Sequence, residues 1–145
     1  MMKRSLFRIE RFASELPAPV VTLRLPWPPS VNHYWRHVVI GKHAQVYIAT
    51  AGKRFRTDVL AAWLASPRPR LVGRLAVEIL ATMPDRRKRD IDNLLKALLD
   101  ALQHAGVFGD DNQVDRLTVA RAGVESPGCV EVRIAVIGES EGGDA

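Results

Sequence analysis

The segment LVGRLAVEILATMPDRRKRDIDNLLKALLDALQHAG, residues 71–106, decides the order of the central elements of the fold. Residues 71–82 alternate apolar and charged side chains before a more apolar end, which predicts a β-strand. Residues 92–105 carry leucines at i, i+3 and i+4 spacing, which predicts an amphipathic helix. Gly106 is expected to end this helix.

The flanking sequence extends the pattern in both directions. Residues 20–25 are β-branched and apolar, which predicts a strand that stops at the prolines of residues 26–29. A helix is predicted over 49–65. Two further strands are predicted over 114–124 and 130–137, joined as a hairpin by residues 125–128. The order β-α-β-α-β-β predicts an α+β fold, a small mixed β-sheet with helices on one face.

Length and composition fit one soluble globular domain. The 145 residues are 47% hydrophobic and 26% charged, which argues against a disordered chain. We expect a loosely held N-terminal extension in residues 1–18, the domain in 19–138 and a flexible acidic tail in 139–145. Cys129 is the only cysteine, which excludes an internal disulfide and a cysteine-based metal site. No apolar run approaches the ~20 residues of a membrane-spanning helix, so we expect a cytoplasmic protein without a membrane partner.

The charge is distributed unevenly along the chain. Residues 1–89 carry a formal charge of +12, whereas residues 90–145 carry −7. A basic body predicts a polyanionic partner such as nucleic acid. The acidic C-terminal part then indicates a second, smaller site whose function differs from binding the polyanion.

The acidic residues between positions 85 and 115 are all aspartates. They are Asp85, Asp90, Asp92, Asp100, Asp110, Asp111 and Asp115. Short carboxylates suit a hard cation such as Mg²⁺. The first pair lies at a loop-to-helix junction, where Asp92 is expected to act as the N-cap, and the Asp110-Asp111 pair lies in a second turn. Carboxylates that converge without a cation repel one another, so their convergence itself implies a metal ion.

Other interpretations stay open at this point. Asp92, Lys96 and Asp100 have the spacing of an ordinary ion-pair ladder along a helix, and Asp110-Asp111 is normal turn chemistry. Four consecutive basic residues precede Asp90, however, and cations beside a carboxylate pair are what cleavage of a phosphate backbone requires. The competing functions are a non-catalytic protein that binds branched DNA and another Mg²⁺-dependent phosphohydrolase.

Two motifs resemble the RusA-type Holliday junction resolvases. The first is LPWPPSVNHYWRH, residues 25–37, and the second is PDRRKRDIDNLLK, residues 84–96, followed by DDNQV at 110–114. The resemblance implies a RusA-like fold, a homodimer and a Mg²⁺-dependent endonuclease, with Mn²⁺ as a substitute. Its reaction would be the resolution of four-way DNA junctions by paired symmetric nicks in recombination and repair.

The resemblance also implies roles for individual residues. The catalytic residues would be Asp90, Asp92, Lys96 and Asp111. The metal ligands would be the same three aspartates together with the adjacent Asp110. Asn93 matches the second motif as well. Apart from the resemblance, charge predicts that Arg86, Arg87, Lys88 and Arg89 contact DNA phosphates. Tyr34 and Trp35 are predicted either to stack on opened bases or to pack around the prolines.

The position of Asp111 poses a geometric problem. The helix over 92–105 is ~20 Å long, and only six residues separate its end from Asp111. A segment of that length spans at most ~20 Å, so Asp111 can barely return to Asp92 within one chain. Either the strand that begins near Gln113 lies close to the start of the helix, or Asp111 completes the site of the partner subunit.

Overall fold

The computed structural model describes residues 13–18 and 20–139. The strands in this part of the chain are β1 (Val21–Pro26), β2 (Trp35–Ile40), β3 (His43–Ile48), β4 (Arg74–Met83), β5 (Val114–Val124) and β6 (Cys129–Gly138). The α-helices are α1 (Val31–Tyr34), α2 (Thr50–Leu64) and α3 (Leu95–His104), and 3-10 helices cover Ile91–Leu94 and Asp111–Gln113. None of these helices is long and apolar enough to cross a membrane.

The main sheet is mixed, as predicted. Its strand order is β1-β6-β4-β5, in which β4 and β5 are parallel and the other pairs are antiparallel. One face of β4 presents Leu75, Val77 and Ile79 to a single hydrophobic core that also contains buried side chains of α2 and α3. The prediction that the helices share one face of the sheet is therefore confirmed.

The opposite face of β4 holds a buried carboxylate. Glu78 is 3% exposed and accepts hydrogen bonds from the Ser14 hydroxyl at 2.8 Å and the Glu15 backbone N–H at 2.9 Å. The prediction of a loosely held extension is thus wrong for these two residues, because they supply the partners that a buried carboxylate needs. Residues 1–12 of the predicted extension and residues 140–145 of the predicted tail lie outside the described residues.

The predicted order β-α-β-α-β-β is wrong, because it omits an entire hairpin. Strands β2 and β3 form a separate two-stranded antiparallel sheet, joined by Gly41 and Lys42. Gly41 has φ +63°, which a two-residue hairpin loop with glycine in its first position requires. Most of the hairpin is exposed, so its sequence lacks the alternation that burial of one face imposes on a strand.

The predicted β5–β6 hairpin is also wrong, because β4 lies between the two strands. The connection instead passes over the end of β4, where the Glu125 N–H donates to the Met83 carbonyl at 2.8 Å. Gly128 has φ +85°, and a Cβ at this position would lie 2.9 Å from the Pro84 Cβ. A glycine is therefore needed both for the backbone conformation and for the close approach of the crossing.

Gly128→Ala is expected to lower the free energy of unfolding by about 2 kcal/mol or more, because strain at positive φ adds to a steric clash. Gly106→Ala is the matched control, since Gly106 has φ +81° but nothing lies within 4 Å of a Cβ there. The control substitution is expected to lower the free energy of unfolding by about 1 kcal/mol. Urea denaturation of both variants measures the difference, and equal losses would contradict the steric role of Pro84.

Candidate active site

The first aspartate pair lies at the carboxyl end of β4, where the chain enters the crossover to β5. Asp90 is the N-cap residue of the 3-10 helix, with φ −77° and ψ 134°, and Asp92 lies in its first turn. The prediction that Asp92 is the N-cap is wrong by two residues, because the helix begins with a 3-10 turn at Ile91. Both aspartates are exposed and lie where the helix dipole favours negative charge.

The basic loop before Asp90 is held by its own ion pair. Both Asp85 carboxylate oxygens accept hydrogen bonds from the Arg89 guanidinium. These bonds, followed by one from the Arg87 backbone N–H, lower the pKa of the Asp85 carboxyl to about 2. The stabilisation from this pair is present above the ordinary aspartate pKa and is lost as the pH falls toward 2. Residues 86–88 remain exposed to solvent.

The two sequence motifs meet at a shallow cleft. Trp27, Pro28 and Ser30 of the proline-rich loop line one side. Arg89, Asp90 and Asn93 line the other side. Residues more than fifty positions apart in the chain therefore form one surface around Asp90.

Ion pairs divide the seven aspartates of this region into two groups. Asp85, Asp100 and Asp115 pair with Arg89, Arg56 and Arg74. Within residues 13–18 and 20–139, none of the ion pairs involves Asp90, Asp92, Asp110 or Asp111. In that part of the chain, the four aspartates without an ion pair are thus the four predicted metal ligands.

The second aspartate pair lies at the opposite end of α3. The Asp111 N–H donates to Gln103 Oε1 at 2.9 Å, near the end of that helix. Asp110 caps its own turn by accepting from the Asn112 N–H, also at 2.9 Å. The 11 residues from Asp92 to Gln103 span about 17 Å. Strand β5 does approach the helix start, but with its far end, where Arg121 donates to the Arg89 carbonyl. The alternative in which this strand returns Asp111 to Asp92 within one chain is therefore wrong.

A single chain does not gather the predicted ligands. In the described part of the chain, no three His, Cys, Asp or Glu side chains lie close enough together to hold a metal ion. Topology explains the separation, because Asp90 follows β4 while Asp111 precedes β5. In a parallel strand pair those two positions lie at opposite ends, and Leu75 at the start of β4 is aligned with Val114 at the start of β5.

Lys96 lies over an aromatic ring rather than in an ion pair. Its Nζ is 5.1 Å from the centroid of the Trp35 ring, within the range of a cation–π interaction. Asp100 pairs with Arg56 instead. The ion-pair ladder along this helix is therefore wrong, and the lysine stays close to the surface that carries Asp92.

Tyr34 cannot stack on DNA bases, because its side chain is fully buried. Its hydroxyl donates to Asp100 Oδ2 and accepts from Arg56 Nε at 2.7 Å, while Arg56 Nη2 donates to the same carboxylate at 2.8 Å. Burial, followed by the bond to Asp100, raises the pKa of the Tyr34 hydroxyl well above its ordinary value. No pattern in the sequence indicates this network, since its members come from three separate elements.

The residues that form the candidate site lie in a region that matches a known protein family. A family profile described as "Endodeoxyribonuclease RusA" matches residues 26–135, which include all of the first motif except Leu25 and the whole of the second. The chain belongs to the RusA endodeoxyribonuclease family. The resemblance noted in the sequence is confirmed.

Individual relatives agree with the RusA assignment. Crossover junction endodeoxyribonuclease rusA of Enterobacteria phage HK97 is 43% identical over 105 residues, which cover 72% of this chain and 83% of the relative. The RusA protein of Escherichia coli K12 is 36% identical over 121 residues, 81% of this chain and 95% of the relative. The relative from Enterobacteria phage 82 is 38% identical over 120 residues, 80% of this chain and 94% of its own length.

A divalent cation fits the first aspartate pair of this RusA family member. Mg²⁺ binds through one or two carboxylates, keeps several waters and takes further oxygens from a phosphate substrate. Asp90 and Asp92 supply two exposed carboxylates on either side of Ile91, and the neighbouring Arg89 is already neutralised by Asp85. The donor chemistry therefore suits a hard cation, although a third carboxylate within reach must come from outside the described part of this chain.

Proposed function

We propose that this protein is a Mg²⁺-dependent endonuclease that resolves four-way DNA junctions by paired symmetric nicks. Family membership supports an endonuclease. The observation that carries the proposal is the division of the aspartates, because within the described residues the four predicted ligands have no cationic partner while their neighbours are paired. Two of these carboxylates, Asp90 and Asp92, follow an exposed basic loop, which suits phosphodiester hydrolysis with a metal ion.

Asp90 and Asp92 would hold the cation, with Mn²⁺ as a substitute for Mg²⁺. Bound there, the cation would supply Lewis-acid polarisation of the scissile phosphate and a lower pKa for the attacking water. Asp90 and Asp92 would hold it at the 3-10 helix that precedes α3, and Asn93 lines the adjacent cleft. Exposed Arg86, Arg87 and Lys88 would contact the flanking phosphates of the DNA strand.

Asp111, with Asp110 beside it, would complete the site of the partner subunit in a homodimer. β5 supports this arrangement because it is an edge strand of the main sheet, and Arg121 near its end donates to the Arg89 carbonyl at 2.6 Å. A second copy paired antiparallel along β5 would bring its Asp111 toward that end. Two such sites related by a twofold axis would make the paired nicks.

Lys96 would stabilise the negative charge that develops on the phosphate in the transition state. Trp35 is then a positioning residue, because its ring lies beneath the ammonium group and packs on Tyr34 with centroids 4.2 Å apart. Buried Tyr34 anchors this arrangement through Arg56 and Asp100. This role replaces base stacking as the proposed function of Trp35.

Trp35→Leu is expected to lower kcat about tenfold while leaving junction affinity nearly unchanged, because it removes one cation–π contact. Trp35→Phe keeps an aromatic ring and is expected to recover most of the rate. In a Lys96→Met background, Trp35→Leu is expected to have no further effect. An equal additional loss in that background would show that Trp35 does not act through the lysine.

The test of the proposed function compares a synthetic four-way junction with a linear duplex, with and without Mg²⁺. Symmetric nicks in the junction alone, and only with the metal ion, are the expected result. Tight junction binding without cleavage under any divalent ion would favour a non-catalytic protein that binds branched DNA. Hydrolysis of simple phosphate esters without cleavage of the junction would favour another phosphohydrolase.

A further inference from the structure

Among the described residues, the hairpin formed by β2 and β3 packs against the hydrophobic core at its root. The root pair, Trp35 and Ile48, packs partly buried against the core, and the Ala49 N–H donates to the Tyr34 carbonyl at 2.9 Å. Residues 39–47 are all exposed. The five residue steps from Trp35 to Ile40 extend about 17 Å, so the hairpin projects well beyond the root.

Only one of the two faces of the hairpin includes the Trp35 ring at the root. Residues paired across antiparallel strands lie on the same face, and alternate pairs share it. The face that starts at the Trp35 ring, called here the Trp35 face, consists of the pairs Trp35–Ile48, His37–Val46 and Val39–Ala44. Lys96 lies over the same ring. The Trp35 face is therefore continuous with the proposed active site.

Apart from His37, the Trp35 face is apolar, and beyond its root pair it is exposed. Val39 is 73% exposed and Val46 is 57% exposed. The opposite face consists of Arg36–Tyr47, Val38–Gln45 and Ile40–His43, so polar and apolar residues alternate there. Phosphates alone would not require exposed valines, whereas unstacked bases offer apolar surface that such side chains can contact.

Charge favours a polyanion as the occupant of this face. No aspartate or glutamate occurs in residues 16–57, while Arg36 and Lys42 lie on the hairpin itself. Two cationic hairpins would repel each other, which disfavours a second copy of this arm as the partner. DNA has both features that the hairpin requires, because its phosphates are anionic and its bases are apolar on their faces.

We propose that the hairpin is a junction-opening arm in which the exposed valines of the Trp35 face contact unstacked bases at the crossover of branched DNA. Val39 and Val46 lie against the base faces, while Arg36 and Lys42 contact flanking phosphates. This inference rests on the proposed function, since the arm delivers an opened strand to the site beside Lys96. Its energetic role is to hold bases out of the stack before the strand is cut.

The test uses the double variant Val39→Ser with Val46→Ser in the full chain. Both residues are exposed, so folding is expected to be preserved. The matched control is Ile40→Ser with Tyr47→Ser, which removes two exposed apolar side chains from the opposite face of the same hairpin. The substrates are a fully paired four-way junction with 2-aminopurine at the crossover and a junction with two unpaired nucleotides there. Fluorescence is recorded without divalent metal, and cleavage with Mg²⁺.

The Trp35-face variant is expected to lose the rise in 2-aminopurine fluorescence and to cut the paired junction about tenfold or more slowly. Its cutting of the pre-opened junction is expected to stay within about twofold of the unaltered chain, and the control variant should match that chain on both substrates. The proposal is overturned if the variant opens and cuts the paired junction normally, if both substrates lose rate equally, or if the variant sediments with a different oligomeric state.

Failure of the proposed function gives a different result. The unaltered chain would then cut neither junction with Mg²⁺, whatever the fluorescence shows. A fluorescence rise that depends on Val39 and Val46 in a chain without nuclease activity would support junction opening by the arm while ruling out delivery of a strand for cleavage. No rise with the unaltered chain would overturn the arm itself.

Discussion

Asp92→Asn is expected to lower the rate of junction cleavage by about a thousandfold or more, because it would remove one of the carboxylate charges proposed to hold the cation. The amide keeps the shape of the side chain, and Asp92 is exposed and forms no ion pair with the described residues. Folding and junction affinity are therefore expected to change little. Single-turnover cleavage at saturating protein measures the rate, and a gel-shift titration without metal measures the affinity.

Asp115→Asn is the matched control for this substitution. Asp115 belongs to the same aspartate-rich region but pairs with Arg74, whose Nε donates to its carboxylate at 2.9 Å. This ion pair lowers the pKa of the Asp115 carboxyl. The control is expected to keep its cleavage rate within about threefold. If Asp92→Asn lost no more activity than Asp115→Asn, Asp92 would not be a metal ligand.

Mixing Asp90→Asn subunits with Asp111→Asn subunits is expected to restore cleavage that neither variant shows alone. In a mixed dimer, one site carries both substitutions while the other has an intact Asp90 and an intact Asp111 from the partner subunit. Half of the randomly mixed dimers are heterodimers with one working site of two, so about one quarter of the wild-type nicking rate should return. The products should be junctions nicked in one strand, which a labelled-strand assay on a denaturing gel detects.

The same mixture gives no activity if each site is built from one chain. Every subunit then carries one damaged site, whichever partner it has. The control is a mixture of Asp90→Asn with Asp92→Asn, which damages the same half of the site in both subunits and is expected to stay inactive. Activity in that control would indicate contamination by unaltered protein.

The sequence predicted those elements whose burial imposes a periodic pattern. Helix α3 buries Leu98, Ala101 and Leu102 on one face, so its leucine spacing identified it, and Gly106 ends it as predicted. The β2–β3 hairpin was not predicted, because it buries little surface and its sequence therefore shows no alternation of apolar and polar residues. The sequence feature that could have indicated the hairpin is the β-branched run Val38-Val39-Ile40, which is followed by a glycine in a two-residue loop.

The sequence restricts how far the second aspartate pair can lie from the helix, but it does not determine at which end of the helix the pair lies. Loop length allowed Asp111 to lie near the start of α3, and only the pairing of β4 with β5 places it at the far end. Tyr34 is a similar case. An aromatic residue in a proline-rich motif gives no sign that its hydroxyl is buried between Arg56 and Asp100, because that contact depends on tertiary packing of α2 against α3.

The location of a bound cation tests the central claim most directly. A crystal of the protein soaked in Mn²⁺, with anomalous scattering measured at the manganese edge, shows which carboxylates hold the ion. The expected result is one peak per subunit between Asp90 and Asp92, with Asp111 of the partner subunit completing the coordination. An ordered dimer with no peak at this pair, or with the two aspartate turns far apart both within a subunit and between subunits, would contradict a metal-dependent nuclease site.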